Sequence, residues 1–128
     1  MYKIFKNLTF IFLIIFSVNS GVNSEEQKIK IGVLVPLTGD DKKIGELIIK
    51  ATRMALNDIN DNKIEIYPKD TNSNPNTALI SALELKKIGI NIIIGPVFYK
   101  NLSYLDELKD ITFLSLTNKT INLPKNVI

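Results

Sequence analysis

Residues 28–39 read KIKIGVLVPLTG. Ile29, Ile31, Val33, Leu34 and Val35 form an apolar run that Pro36 and Gly39 end, the pattern of a strand buried on both faces rather than one alternating between core and water. Strands of that kind belong to sheets covered by helices, so a helix should follow. Ile44, Leu47, Ile48, Ala51, Ala55 and Ile59 recur in steps of three and four, and are expected to form the core-facing stripe of a helix that Asn60-Asp61-Asn62 closes.

Working outward, Ile64 to Tyr67 suits a short second strand, and the loop after it offers Asn74 as a helix cap with Pro75 in the first helical turn. The second helix is expected to bury Ala78, Leu79, Ala82, Leu83 and Ile88, with Gly89 supplying the left-handed residue at its end. Ile90 to Ile94 is almost entirely β-branched and reads as a central strand ending in Gly95-Pro96. A weaker helical stretch covers Leu102 to Leu108, and Ile111 to Leu116 makes a fourth strand. The order βαβαβαβ predicts an α/β fold with a doubly wound parallel sheet. Sheets of this type take ligands outside the carboxyl ends of their strands, near the point where strand order reverses. Loops 36–40, 69–74, 96–101 and 115–120 should then carry function.

Ahead of the domain, residues 1–24 have the order of a secretory signal peptide. Lys3 and Lys6 precede an apolar run from Leu8 to Phe16, and small polar residues follow. The run is about half the roughly 20 residues that a membrane span needs. Cleavage is expected after Ser24 or after Ser20, each a small residue, with an uncleaved N-terminal anchor as the alternative. Residues 25–128 are then an exported domain, expected to be a partial one truncated at its C-terminus. Without further elements the fourth strand would keep an open edge, and residues 25–128 alone should be poorly soluble.

Composition removes several classes of function. The 128 residues include no cysteine and no histidine, which excludes disulfides, thiol nucleophiles, thiolate metal sites, histidine-based triads and histidine-ligated zinc. Of the 16 basic residues, Lys3 and Lys6 lie in the leader, so the remainder is almost balanced by the 13 acids. Lysines and acids are interspersed, and Lys42-Lys43 and Lys86-Lys87 read as parts of a solvated mixed surface; no nucleic-acid partner is expected.

Pro36-Leu37-Thr38-Gly39 suits either a binding loop or a plain strand-to-helix turn. It lacks the G-x-G-x-x-G spacing and the P-loop lysine, so no nucleotide cofactor is expected. Gly95-Pro96-Val97 holds no aspartate that a phosphorylated receiver domain would need. Phe98 and Tyr99, after the third strand, can wall a ligand or pack against a neighbouring lobe. Ser115, Thr117 and Asn118, after the fourth, can hydrogen-bond a polar ligand head. Asp70 stands alone in the sequence, without a catalytic partner, and no enzyme is expected.

The run KIKIGVLVPLTGDDKKIGELIIKATRMALNDIN, the block DTNSNPNTALISALELKKIGINIIIGPV and the segment FLSLTN resemble the type I periplasmic binding proteins, the leucine/isoleucine/valine-binding class. The resemblance spans residues 28–128. It implies the N-terminal part of the first lobe of a two-lobed protein that closes on a small polar ligand, such as an amino acid, and delivers it to an ABC transporter in the periplasm. The positions that hold the ligand in that class correspond to Tyr99, Thr117 and Lys119. Thr38, Tyr99, Thr117 and Asn118 are therefore the expected ligand-binding residues, with no metal and no cofactor. A serine usual after the third strand is replaced here by Tyr99. In these loops the chain is also similar to the penicillin-binding protein activators, which contact a peptidoglycan synthase, although those typically carry a lipid-attachment cysteine.

Overall fold

The computed structural model describes residues 27–119 and 123–128; the leader assigned to residues 1–24 lies outside them. The first strand, β1 (Ile29–Val35), is followed by α1 (Lys42–Ile59), β2 (Ile64–Asp70), α2 (Pro75–Lys87), β3 (Ile92–Ile94) and β4 (Thr112–Leu114). All pairings are parallel and the strands lie in the order β2-β1-β3-β4. The order reverses between β1 and β3, so the expected doubly wound α/β sheet is present with its switch point there.

Val33, Leu34 and Val35 have no exposed surface, as the unbroken apolar run of β1 predicts. Val33 and Val35 pack with Ile49 of α1, joined by Leu37, Ile48, Ile66 and Val97. Leu34 joins the larger cluster on the other face with Ala82 and Leu85 of α2, Ile90, Ile93, Phe113 and Leu102, Leu105 and Leu108 of the β3–β4 connection. At roughly 1.5–3 kcal/mol for each fully buried large side chain, this second layer supplies most of the hydrophobic stabilisation.

Several elements differ from the sequence reading. The buried face of α1 is Gly45 and Ile49, flanked by half-buried Ile48, Thr52 and Leu56, whereas Ile44, Leu47, Ala51, Ala55 and Ile59 face outward. The reason is Gly45: a Cβ there would stand 1.8 Å from the carbonyl oxygen of Pro36, so the helix sits against the strand end through a residue without a side chain. In α2, Ala78, Ser81, Ala82 and Leu85 are buried while Leu83 and Ile88 are exposed. Strand β2 runs on to Asp70, with Pro68 at the sheet edge, where its missing N–H costs no ladder bond. The stretch expected to be helical near Leu102 to Leu108 is two 3₁₀ turns, Tyr99–Leu102 and Leu105–Glu107.

The outer edge of β4, expected to be open, is covered. Phe113 N–H donates to Asn126 (2.8 Å), Ile128 N–H to Phe113 (2.8 Å) and Ser115 N–H to Ile128 (2.9 Å), so residues 126–128 lie parallel to β4. Other expectations hold. Asn74 Oδ1 accepts from the amides of Asn76 (2.9 Å) and Thr77 (3.2 Å), Pro75 opens α2, and Gly89 has φ +81°.

Candidate functional site

The carboxyl ends of the strands present two polar walls on either side of the switch point. The first is made by the loops after β1 and β2. Asp70, the last residue of β2, lies opposite Val35 in the ladder, which aims its carboxylate at the turn beyond Pro36. Oδ1 accepts from Leu37 N–H at 2.7 Å and Asn72 N–H at 2.8 Å, and Oδ2 accepts from the Thr38 hydroxyl at 2.5 Å. Burial on its own would raise this carboxyl; the Thr38 hydroxyl and the amides of Leu37, Asn72 and Thr38 outweigh it and hold Asp70 below its ordinary value. Ser73 Oγ donates to Asp41 Oδ2 at 2.6 Å, and Ser81 Oγ, from α2, to the Asp70 carbonyl at 2.7 Å. Gly39, Asn72 and Ser73 all have positive φ, so both loops turn sharply and their polar groups converge.

The second wall is made by the loops after β3 and β4. Gly95 has φ +106°, and a Cβ there would lie 2.2 Å from the Leu34 carbonyl oxygen; β1 and β3 approach closely only because this residue is glycine. The Gly95–Pro96 peptide is cis. The Pro96 carbonyl accepts from Leu116 N–H at 3.1 Å and Ser115 Oγ at 3.4 Å, and Ser115 Oγ accepts from Thr117 N–H at 3.3 Å. Thr117 Oγ1 in turn accepts from Lys119 N–H at 3.4 Å. This chain of bonds brings the Lys119 ammonium over the Tyr99 ring, 4.1 Å from its centroid, a cation–π contact. Lys100, on the 3₁₀ turn after β3, lines a cavity of about 360 Å³ with Thr38, Gly39, Asp40, Asp41, Asn72, Ser73 and Asn74, whereas Tyr99, Thr117 and Asn118 do not line it. A larger hollow of about 900 Å³ lies at the opposite ends of the strands, around Lys28, Lys30, Gly89 and Ile92, away from the switch point.

Of the four residues expected to bind ligand, Tyr99 and Thr117 share the second wall with Lys119. Thr38 sits on the first with its hydroxyl committed to Asp70, and Asn118 is exposed beyond Thr117. Asp70 and Lys119 were absent from that set. Apart from the amide of Asn72 two residues on, the partners of the Asp70 carboxylate, Leu37 and Thr38, lie more than 30 residues back along the chain, and no local pattern announces those two; Lys119 was readable only as a position matched to the family. Asn101 was also missed: it is fully buried, and neither amide atom has a hydrogen-bond partner among the described residues.

A doubly wound lobe whose switch point is flanked by two polar walls defines a class, the α/β proteins that receive a ligand or partner across the carboxyl ends of their strands. The particular family follows from the comparisons. The family model described as periplasmic binding protein matches residues 28–123, well over half of the sequence, and the chain belongs to that family. Among curated proteins none matches the sequence. Among solved structures, a solute-binding protein of an ABC transporter from Rhodopseudomonas palustris, in complex with 3,4-dihydroxybenzoic acid, is similar with a TM-score of 0.66 and 23% identity, over 71% of this chain and 27% of that one. A second from R. palustris, in complex with 4-hydroxybenzoate, gives 0.63 and 21% over 70% and 27%. The LpoA C-domain from Haemophilus influenzae, a regulator of PBP1A, gives 0.59 and 24% over 77% and 31%. At these identities the likeness shows the fold, and this chain spans under a third of each protein's length. The family and these neighbours are solute-binding or regulatory proteins, and the family implies a location outside the cytoplasm.

Proposed function

We propose that the chain is the first part of a non-enzymatic, periplasmic solute-binding protein of the leucine-binding type. It captures a small polar ligand, such as an amino acid, for an ABC transporter after a signal peptide at residues 1–24 directs its export. The observation that supports this reading is Lys100, from the loop after β3, reaching across to the loops of Thr38 and Ser73 at the carboxyl ends of the strands. In this reading Tyr99, Thr117 and Asn118 contact the ligand, and Thr38 holds the opposite loop through Asp70. The test is thermal unfolding of the full-length protein with a panel of amino acids and small carboxylic acids. A ligand at 100 times its dissociation constant adds about 2.7 kcal/mol of stability. A panel that leaves the melt unmoved, while the protein is folded, counts against solute capture.

One observation favours a second reading, an envelope regulator of peptidoglycan synthesis that works through protein contacts. Lys119 already covers the face of Tyr99, which occupies part of the wall a small ligand would need, and the LpoA C-domain shares the fold. Cross-linking in the native envelope separates the two, since recovery of a peptidoglycan synthase supports the regulator and recovery of a transporter permease supports solute capture.

A further inference from the structure

Helix α1 turns a continuous apolar stripe toward solvent. Ile44, Leu47, Met54 and Ile59 are 41, 58, 58 and 58% exposed, and Ala51 and Ala55 are exposed between them. With 3.6 residues per turn, Ile44, Leu47, Ala51, Met54 and Ala55 share one face. The opposite face, Gly45 and Ile49, is the one that holds the helix to the sheet. Ile44, Leu47 and Met54, three exposed large apolar side chains in line on one helix with Ile59 about a quarter turn round from them, differ from the scattered single residues usual on a soluble surface.

The charges around the stripe have an order. Lys43 lies on its flank near the amino end, with Lys50 on the same flank nearer the middle, and Asp58 lies within the stripe near the carboxyl end, all exposed. Ala51 sits between Lys43 and Asp58, eight residues after one and seven before the other. We propose that the stripe is a homodimer interface in which α1 packs antiparallel on α1 of a second copy, about a twofold axis beside Ala51. That axis sets Lys43 of each copy beside Asp58 of the other, offset along the helix by about one residue rise of 1.5 Å. It also sets Leu47 of each copy over Ala55 of the other, a large side chain on a small one. The alanines let the helix axes approach toward the lower end of the usual 8–10 Å range. A parallel pairing would oppose Lys43 to Lys43 and Asp58 to Asp58, and is rejected by that repulsion. The same patch serves both copies, as a closed twofold interface requires. The apolar contact supplies the affinity and the charge pairs choose the direction.

The test is sedimentation velocity on the full-length mature protein, with variants at solvent-facing positions so that the fold is kept. The wild type is expected to run as a dimer. Leu47→Glu should run as a monomer, with the melting temperature of the wild type when both are measured at a dilution where the wild type is also monomeric. Lys43→Glu and Asp58→Lys should each raise the dissociation constant about tenfold, and the two together should restore it. A short bismaleimide should link Ala51→Cys into a covalent dimer and leave Arg53→Cys, on the far flank, unlinked. A wild-type monomer at every concentration overturns the interface, whether the thiol introduced at position 51 is reactive or is shielded by the chain's own remaining length. A dimer that survives Leu47→Glu, or swapped charges that do not rescue one another, overturns it equally.

Discussion

Asp70 is the residue that joins the loops of the first wall. A carboxylate accepting two backbone amides and a hydroxyl is a charge-assisted cluster, in which each bond outweighs a neutral one. Asp70→Ala removes the acceptor and leaves the amides of Leu37 and Asn72 without their partner, so we expect it to cost about 2 kcal/mol at pH 7. The pH dependence has a definite sign. The carboxyl lies below its ordinary 3.8 in the folded protein, so its contribution is complete above that value and is lost as pH falls through the depressed one. The stability gap between wild type and Asp70→Ala, measured by urea unfolding, should be widest near neutrality and should shrink on approaching pH 3. A gap that stays constant over that range would show that Asp70 acts through packing alone. The sequence shows an isolated aspartate; only the pairing of β1 with β2, which puts Val35 beside Asp70, reveals what it holds.

At the scale of elements, what was legible followed from chemistry local to the chain. Asn74 and Pro75 mark a helix start, Gly89 a helix end, and the Val33–Val35 run a strand buried on both faces, and each is found where its residues put it. Helix α1 was legible as a helix but not in its rotation. Periodicity finds the most apolar face, and here that face points outward because the sheet accepts α1 through the backbone of Gly45. Gly45→Ala tests this directly. In an unconstrained helix the change would add up to about 1 kcal/mol of stability from propensity. Here the new Cβ would lie 1.8 Å from the Pro36 oxygen and 2.7 Å from its carbon, backbone atoms that cannot rotate away. We expect a net loss of about 2 kcal/mol, as overpacking predicts, and a displaced β1–α1 loop that weakens whatever binds at Thr38. Arg53→Gly, on the exposed flank away from the apolar face and costing about 1 kcal/mol through propensity, calibrates the comparison. A stabilised Gly45→Ala protein would mean that the contact with Pro36 yields at little cost.

For the molecule as a whole, the question is what completes the sheet beyond β4. The three-residue β4 looked like an exposed edge from the sequence because NLPKNVI carries a proline and no alternation long enough to read as a strand. The structure nevertheless lays Asn126 to Ile128 along Phe113 and Ser115, and seats Val127, 9% exposed, in the same cluster as Phe113, Leu105 and Ile111. Asn126 adds a clamp, its side-chain amide donating to the carbonyls of Leu105 (2.9 Å) and Leu108 (3.1 Å). The segment therefore covers both the hydrogen-bonding edge of β4 and the end of the larger core layer, two exposures that would otherwise invite pairing between molecules. Val127→Asp should remove both protections at once. Burying a carboxylate among Phe113 and its neighbours costs about 3 kcal/mol, and the freed edge should turn that loss into aggregation, visible as high-mass species in light scattering. Ile128→Asp is the matched control: its side chain is 76% exposed, while its backbone makes the bonds to Phe113 and Ser115, so the change should stay within about 0.5 kcal/mol and remain monodisperse in the same assembly state as wild type. If both variants aggregate alike, added charge at these positions, rather than the lost cover of β4, governs solubility.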